Sequence, residues 1–153
     1  MPAFQPISIL SDTLIGTADP DYFQFLTGPV EVWTYAGNDT VQTGDYDDSV
    51  HLGEGDDLAE TGGGNDVIYA DLGNDLIRSG AGADQVYGGD GNDLIKIHNF
   101  ASADVASIVI DVQGGAGNDV IDVTAVPGYW TSVALKATGG NGNDKIVTRI
   151  AFN

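Results

Sequence analysis

Aspartate recurs at every ninth residue across the middle of this chain, as Asp39, Asp48, Asp57, Asp66, Asp75, Asp84 and Asp93. A carboxylate at so regular an interval can neutralise a row of cations. Glycine precedes it by two places in every unit but one, as Gly37, Gly55, Gly64, Gly73, Gly82 and Gly91, with Tyr46 the exception. A glycine-rich turn aims several backbone carbonyls at one point, and Asp adds charge to them. Six to eight oxygen donors of these two kinds are what calcium requires.

The elements that must position these groups are legible in the same units. Seven contiguous nonapeptides run from Thr34 to Lys96. Their glycines and Asp predict a tight turn, because Gly accepts positive φ and close backbone approach. An apolar residue stands two places after each Asp: Val41, Val50, Ala59, Ile68, Ile77, Val86 and Ile95. It predicts a short strand with that side chain inward and its two neighbours outward. Further copies stand at Gly114 to Asp122 and Gly139 to Val147. Degenerate ones stand at Gly16 to Gln24, with Asp21 and Phe23 in register, and at Phe25 to Trp33, with Val30 in the Asp position.

The best unit, Gly88 to Lys96, reads G-G-D-G-N-D-L-I-K. That is the G-G-x-G-x-D-x-U-x pattern, with U apolar, of RTX (repeat-in-toxin, haemolysin-type) proteins. The chain thus resembles the RTX calcium-binding family. The resemblance implies an all-β, right-handed parallel β-roll in which two units make one full turn, with glycine loops along both edges. One edge would then stack Asp39, Asp57, Asp75, Asp93, Asp119 and Asp144, and the other Asp48, Asp66 and Asp84. Calcium between neighbouring loops would take an Asp from each and carbonyls of turn glycines such as Gly37, Gly55, Gly73, Gly91, Gly117 and Gly142. Counting the gaps in both rows yields about seven Ca2+ ions. Asp21 with Asp39, and Asp84 with Asp104, are weaker pairs. A dry β-helix whose Asp and Asn only make turns would not need Asp at the sixth position every time. The fifth position, with Asn38, Asn65, Asn74, Asn92 and Ala83, tolerates a neutral group.

The expected organisation is one domain over residues 1–153, with a cap at 1–15, nonapeptide repeats at 16–96 and wider coils at 97–153. The widening follows from the loops at Gly114 and Gly139, each of which comes later than a two-unit turn would place it. Ser107 to Val112 and Val133 to Lys136 read as longer strands. Val126-Pro127-Gly128-Tyr129 suits a type II turn, and His98 to Asp104 reads as a loop. Helix is expected to be minor, because Gly recurs too often.

Outward positions hold two further ladders. Trp33, His51, Tyr69 and Tyr87 would line one sheet, either as a platform for sugars or a partner, or as cross-strand packing, the reading favoured here. Gln42, Glu60, Arg78 and Lys96 would line the other, beside Leu58, Leu76 and Leu94. Those leucines are an apolar stripe that could meet another subunit or a larger protein body.

Composition narrows the partners. Twenty-three Asp and Glu face five Lys and Arg, for a net charge of −18. Nucleic acid is a poor partner because no basic patch exists, and an anionic membrane surface is disfavoured for the same reason. No apolar stretch could span a membrane, and no signal peptide is visible in residues 1–15. There is no cysteine, which excludes disulfides and thiolate metal sites. Asp45-Tyr46-Asp47 lacks the later Gly and Glu of an EF-hand. G-x-S-x-G, H-E-x-x-H and P-loop motifs are absent, and a packed roll offers no cleft for a pair of catalytic acids. No enzyme is expected. Three roles remain: a calcium-dependent structural module of the cell surface or matrix, a carbohydrate-binding module like those attached to alginate-modifying enzymes, and ice binding. The last needs a regular Thr or Asn array, whereas the third position runs Ala36, Asp45, Glu54, Gly63, Leu72, Ala81 and Asp90. The resemblance further implies an extracellular or cell-surface protein, secreted in one step from a Gram-negative cell. Self-association is a further open alternative.

Overall fold

The computed structural model describes residues 13–100, 107–126 and 132–151. Within them there are fourteen strands and no helix. The short ones are β1 (Thr13–Ile15), β2 (Tyr22–Gln24), β3 (Glu31–Trp33), β4 (Thr40–Gln42), β5 (Ser49–His51), β6 (Leu58–Glu60), β7 (Val67–Tyr69) and β8 (Leu76–Ser79). The longer ones are β9 (Gln85–Asp90), β10 (Leu94–Phe100), β11 (Ser107–Ala116), β12 (Val120–Val126), β13 (Ser132–Asn141) and β14 (Lys145–Ile150). Odd strands form one parallel seven-stranded sheet and even strands form the other. Successive half-coils therefore alternate between sheets, which is a parallel β-roll.

Strand pairing follows the repeat. Leu58 lies beside Leu76, and Val50 beside Ile68, so each strand meets the one two units further along. Beyond Lys96 the partners lie further apart in sequence, as in Leu94 beside Val120 and Val120 beside Lys145. The widening expected from the glycine spacing is thus present. The extra length lengthens the strands, and β11 and β13 reach ten residues each.

The core is a narrow column between the sheets. Val41, Val50, Ala59, Ile68, Ile77, Val86 and Ile95 are all fully buried. A second inward row comes from the first residue of each unit, where Thr34, Leu52, Thr61, Ala70 and Ser79 are also buried. Alternation explains it, since two places beyond the inward eighth position is the first position of the next unit. Phe23 and Val32 of the degenerate opening units are inward as expected.

The structure adds detail to the expected cap and the leucine row and changes one expectation. Thr13–Ile15 of the expected cap forms strand β1, which pairs with β3 and buries Leu14. His98 is not in a loop: β10 runs on to Phe100, and His98 lies beside Thr124 with an exposed side chain. Leu58, Leu76 and Leu94 are neighbours as expected, and each is half-buried. Pro127 to Tyr129 of the expected type II turn, Asp104 and residues 1–12 lie outside the described residues. Among the described residues no helix is long and apolar enough to cross a membrane.

Candidate metal centres

The Asp rows run along both edges. On the first edge the backbone N–H of each Asp donates to Oδ1 of the Asp one turn later. Asp39 donates to Asp57 at 2.7 Å, Asp57 to Asp75 at 2.8 Å, Asp75 to Asp93 at 2.9 Å, Asp93 to Asp119 at 2.9 Å and Asp119 to Asp144 at 3.0 Å. On the second edge Asp48 donates to Asp66 at 3.0 Å and Asp66 to Asp84 at 3.2 Å. One carboxylate oxygen is thereby committed to holding the coil together.

The other oxygen makes no hydrogen bond of normal geometry, although the Thr34, Thr43 and Thr61 hydroxyls stand close enough to Asp39, Asp48 and Asp66 to favour their charged forms. Oδ2 of Asp39, Asp48, Asp57, Asp66, Asp75, Asp93 and Asp119 is buried without a hydrogen-bond partner. A buried, unpaired carboxylate oxygen is costly. Seven of them in two rows call for a common counter-charge. Burial pushes the Asp57 and Asp93 carboxyls up to about 6, and those of Asp66 and Asp75 up to about 7, despite the hydrogen bonds that oppose it. It also raises Asp39, Asp48, Asp84 and Asp119. Desolvation leads in every case, and charge from neighbouring Asp residues adds to it for several.

Backbone carbonyls supply the second donor type. A Cβ placed on Gly73 would lie 1.8 Å from the carbonyl oxygen of Gly55. The φ of Gly73 is +138°, so both space and conformation require glycine there. The same approach recurs from Gly37 to Gly55, from Gly73 to Gly91, from Gly91 to Gly117 and from Gly117 to Gly142. The carbonyls of Gly55, Gly73 and Gly91 accept no hydrogen bond among the described residues. No three acidic or histidine side chains converge on a single point among those residues. The candidate donors are instead the stacked Asp rows and the turn carbonyls. Hard oxygen donors of this kind fit calcium.

Two members depart from the pattern. Asp84 has its Oδ2 hydrogen-bonded by the Ser79 hydroxyl, which closes that end of the second row. Asp21 accepts from the Thr17 amide at 2.6 Å and from its hydroxyl at 3.1 Å, so its carboxylate serves the opening turn.

The fifth position does more than tolerate a neutral group. Oδ1 of Asn38, Asp56, Asn74, Asn92 and Asn118 each accepts the backbone N–H of the fifth residue one turn later, at 2.8 to 3.2 Å. Side-chain amides of Asn74, Asn92 and Asn118 add a second bond at 3.0 Å. The near-absence of residues other than Asn and Asp at this position is the signal in the sequence that could have found it.

The aromatic ladder is present and stacked. Ring centroids are 3.7 Å apart for Trp33 and His51, and 4.9 Å for His51 and Tyr69 and for Tyr69 and Tyr87, with interplanar angles of 11° or less. Partial burial lowers the His51 pKa, against the opposing charges of Glu31 and Asp71. The rings face one another, leaving chiefly their edges toward solvent.

The family model of the RTX calcium-binding nonapeptide repeat matches residues 33–68, 60–95 and 111–124, in all about half of the chain. The chain belongs to the RTX family of calcium-binding β-roll modules. Neither the curated proteins nor the solved structures contain a match.

Proposed function

We propose that the chain is a calcium-dependent structural module of the cell surface or extracellular matrix, ordered by ions held between consecutive loops. The observation that carries this reading is the double row of buried, unpaired Asp Oδ2 atoms. On the first edge the ions would lie between Asp39 and Asp57, Asp57 and Asp75, Asp75 and Asp93, Asp93 and Asp119, and Asp119 and Asp144. On the second they would lie between Asp48 and Asp66 and, more weakly because the Ser79 hydroxyl already holds Oδ2 of Asp84, between Asp66 and Asp84. Bound calcium supplies positive charge, and the chain's own groups do the rest. Oδ1 ties turn to turn, Oδ2 faces the ion, and the glycine turns present their carbonyls. Because the site exists only when adjacent coils are stacked, binding energy is folding energy.

RTX repeats are typical of secreted proteins, and extracellular calcium matches the affinity range of such modules. We read the chain as secreted on that basis. Calorimetry should count about seven ions, and circular dichroism should show a disordered chain in chelator and a β-rich one in millimolar calcium. A β signal that survives excess chelator would refute the proposal.

The carbohydrate-binding reading rests on the ladder of Trp33, Tyr69 and Tyr87. Sugars stack on ring faces, and here both faces of His51 and Tyr69, and one face each of Trp33 and Tyr87, are taken by a neighbouring ring. This favours the ladder as cross-strand packing.

A further inference from the structure

The two edges differ in what meets Oδ2. The first residue of a unit and the Asp of the same unit come together inside one loop. A Cβ placed on Gly88, Gly114 or Gly139 would run into Oδ2 of Asp93, Asp119 or Asp144 respectively. The side chain at the first position therefore lies against that oxygen. The family's repeat pattern has Gly there.

At every Asp of the second edge that position carries a hydroxyl: Thr43 before Asp48, Thr61 before Asp66 and Ser79 before Asp84. On the first edge Thr34 opens the row, and Leu52, Ala70, Gly88, Gly114 and Gly139 follow without a polar side chain. Thr34 donates its hydroxyl to the Leu52 carbonyl. Ser79 donates to Oδ2 of Asp84. Thr43 reaches the Thr61 carbonyl at 3.3 Å while standing close to Asp48. Oγ1 of Thr61 and Oδ2 of Asp66 are both buried, close together, and neither makes a hydrogen bond of normal geometry. Backbone carbonyls do not separate the edges. A Cβ on Gly82 would strike the Gly64 carbonyl just as one on Gly73 would strike that of Gly55.

We propose that the calcium sites fall into two classes, with the Thr43, Thr61 and Ser79 hydroxyls setting a lower affinity on the second edge. The inference rests on the calcium reading above. A hydroxyl against Oδ2 can give its hydrogen to the charge that an ion would otherwise neutralise. An ion entering such a loop must displace or share that hydrogen bond. Hydrogen bonds to charged groups are strong enough for this to weaken binding about tenfold. Oδ2 of Asp57, Asp75, Asp93 and Asp119 has no such donor at the first position of its loop, so there only an ion meets the charge. The first edge then orders the roll, and the second fills in a roll already folded.

Equilibrium dialysis against set free calcium, with circular dichroism on the same samples, counts ions on the folded chain. About five should be bound where the β signal reaches its plateau, and about two more at roughly tenfold higher calcium. The triple variant Thr43→Val, Thr61→Val, Ser79→Ala keeps every carboxylate and should bring the two steps together. Ala70→Ser should do the reverse, setting a hydroxyl against Asp75 and lowering the count at the plateau. A single class of about seven ions in the unchanged chain, or two classes that a folded variant leaves unmoved, would overturn the proposal and leave the calcium reading standing. Should the triple variant lose its β signal, Ala70→Ser decides alone, and an unchanged count at its plateau overturns the proposal. A β signal indifferent to calcium, with no ion bound, would overturn both.

Discussion

Protons and calcium should compete for the same oxygens, and the outcome can be sized. In the metal-free roll burial lifts Asp57 and Asp93 to about 6 and Asp66 and Asp75 to about 7, from 3.8. A folded-state pKa above the unfolded one means that the roll binds more protons than the unfolded chain. The roll's stability is then whole below about pH 4 and falls as pH rises toward 7. At about 1.4 kcal/mol per pH unit, Asp66 and Asp75 each cost about 4 kcal/mol when ionised, and Asp57 and Asp93 each about 3. The loops form the outermost layer, and solvent there screens these costs to about half. About 7 kcal/mol remains, comparable to the whole stability of a domain. Calcium at 10 mM against a dissociation constant of 0.1 to 1 mM returns about 1.4 to 2.7 kcal/mol per site, which over about seven sites exceeds the loss. Metal-stripped chain should therefore be disordered at pH 7.5 and recover β signal at pH 5.0, which is above its isoelectric point of about 4.1. The calcium midpoint of folding should fall as pH falls from 7.5 to 5.5, because protons taken up only by the roll supply part of the stabilisation that calcium otherwise must. Circular dichroism at fixed ionic strength reads both. Equal β signal at the two pH values without metal, or a midpoint indifferent to pH, would refute the reasoning.

Asp75→Ala should raise the calcium midpoint more than Asp144→Ala, because Asp75 stands between two gaps and Asp144 ends its row; equal midpoints in a calcium titration would count against stacked sites. Gly73→Ala should destabilise the calcium-bound roll by about 3 kcal/mol or more, since its Cβ meets the Gly55 carbonyl at 1.8 Å, and thermal unfolding in calcium measures it. Tyr69 and Tyr87 replaced together by Ser should cost about one or two kcal/mol without loss of any glycan retention in affinity electrophoresis; loss of retention with stability unchanged would restore the sugar platform. Magnesium should substitute poorly in the same titrations, because it demands tight octahedral geometry and gives up water reluctantly.

The repeat makes strand placement, the inward row and both Asp rows legible, since each follows from a local period of nine. Even the widening of the coil can be read from the distances between Gly91, Gly117 and Gly142. What escapes is direction and crowding. Nothing in the letters says that Asn74 accepts from Asn92 while Asp75 donates to Asp93. That depends on which neighbour each oxygen meets after the coils stack. His98 reads as a loop residue because an isolated polar side chain hides that β10 continues along β12, a partner more than two units away. How far Leu58, Leu76 and Leu94 are exposed depends on neighbours from other turns, which a local period does not contain.

Those opposed oxygens make the molecule a one-dimensional lattice. At each first-edge loop the sixth residue reaches one way along the roll and the fifth the other, so an interior loop is bonded to both neighbours and a terminal loop to one. Among the described residues each strand packs chiefly on its neighbours in adjacent turns, and nothing like a globular core closes the structure end to end. Order should then spread by nearest-neighbour coupling, with the ends melting before the middle. Stability becomes a property of length, so adding or deleting one two-unit turn should shift it by a nearly constant step.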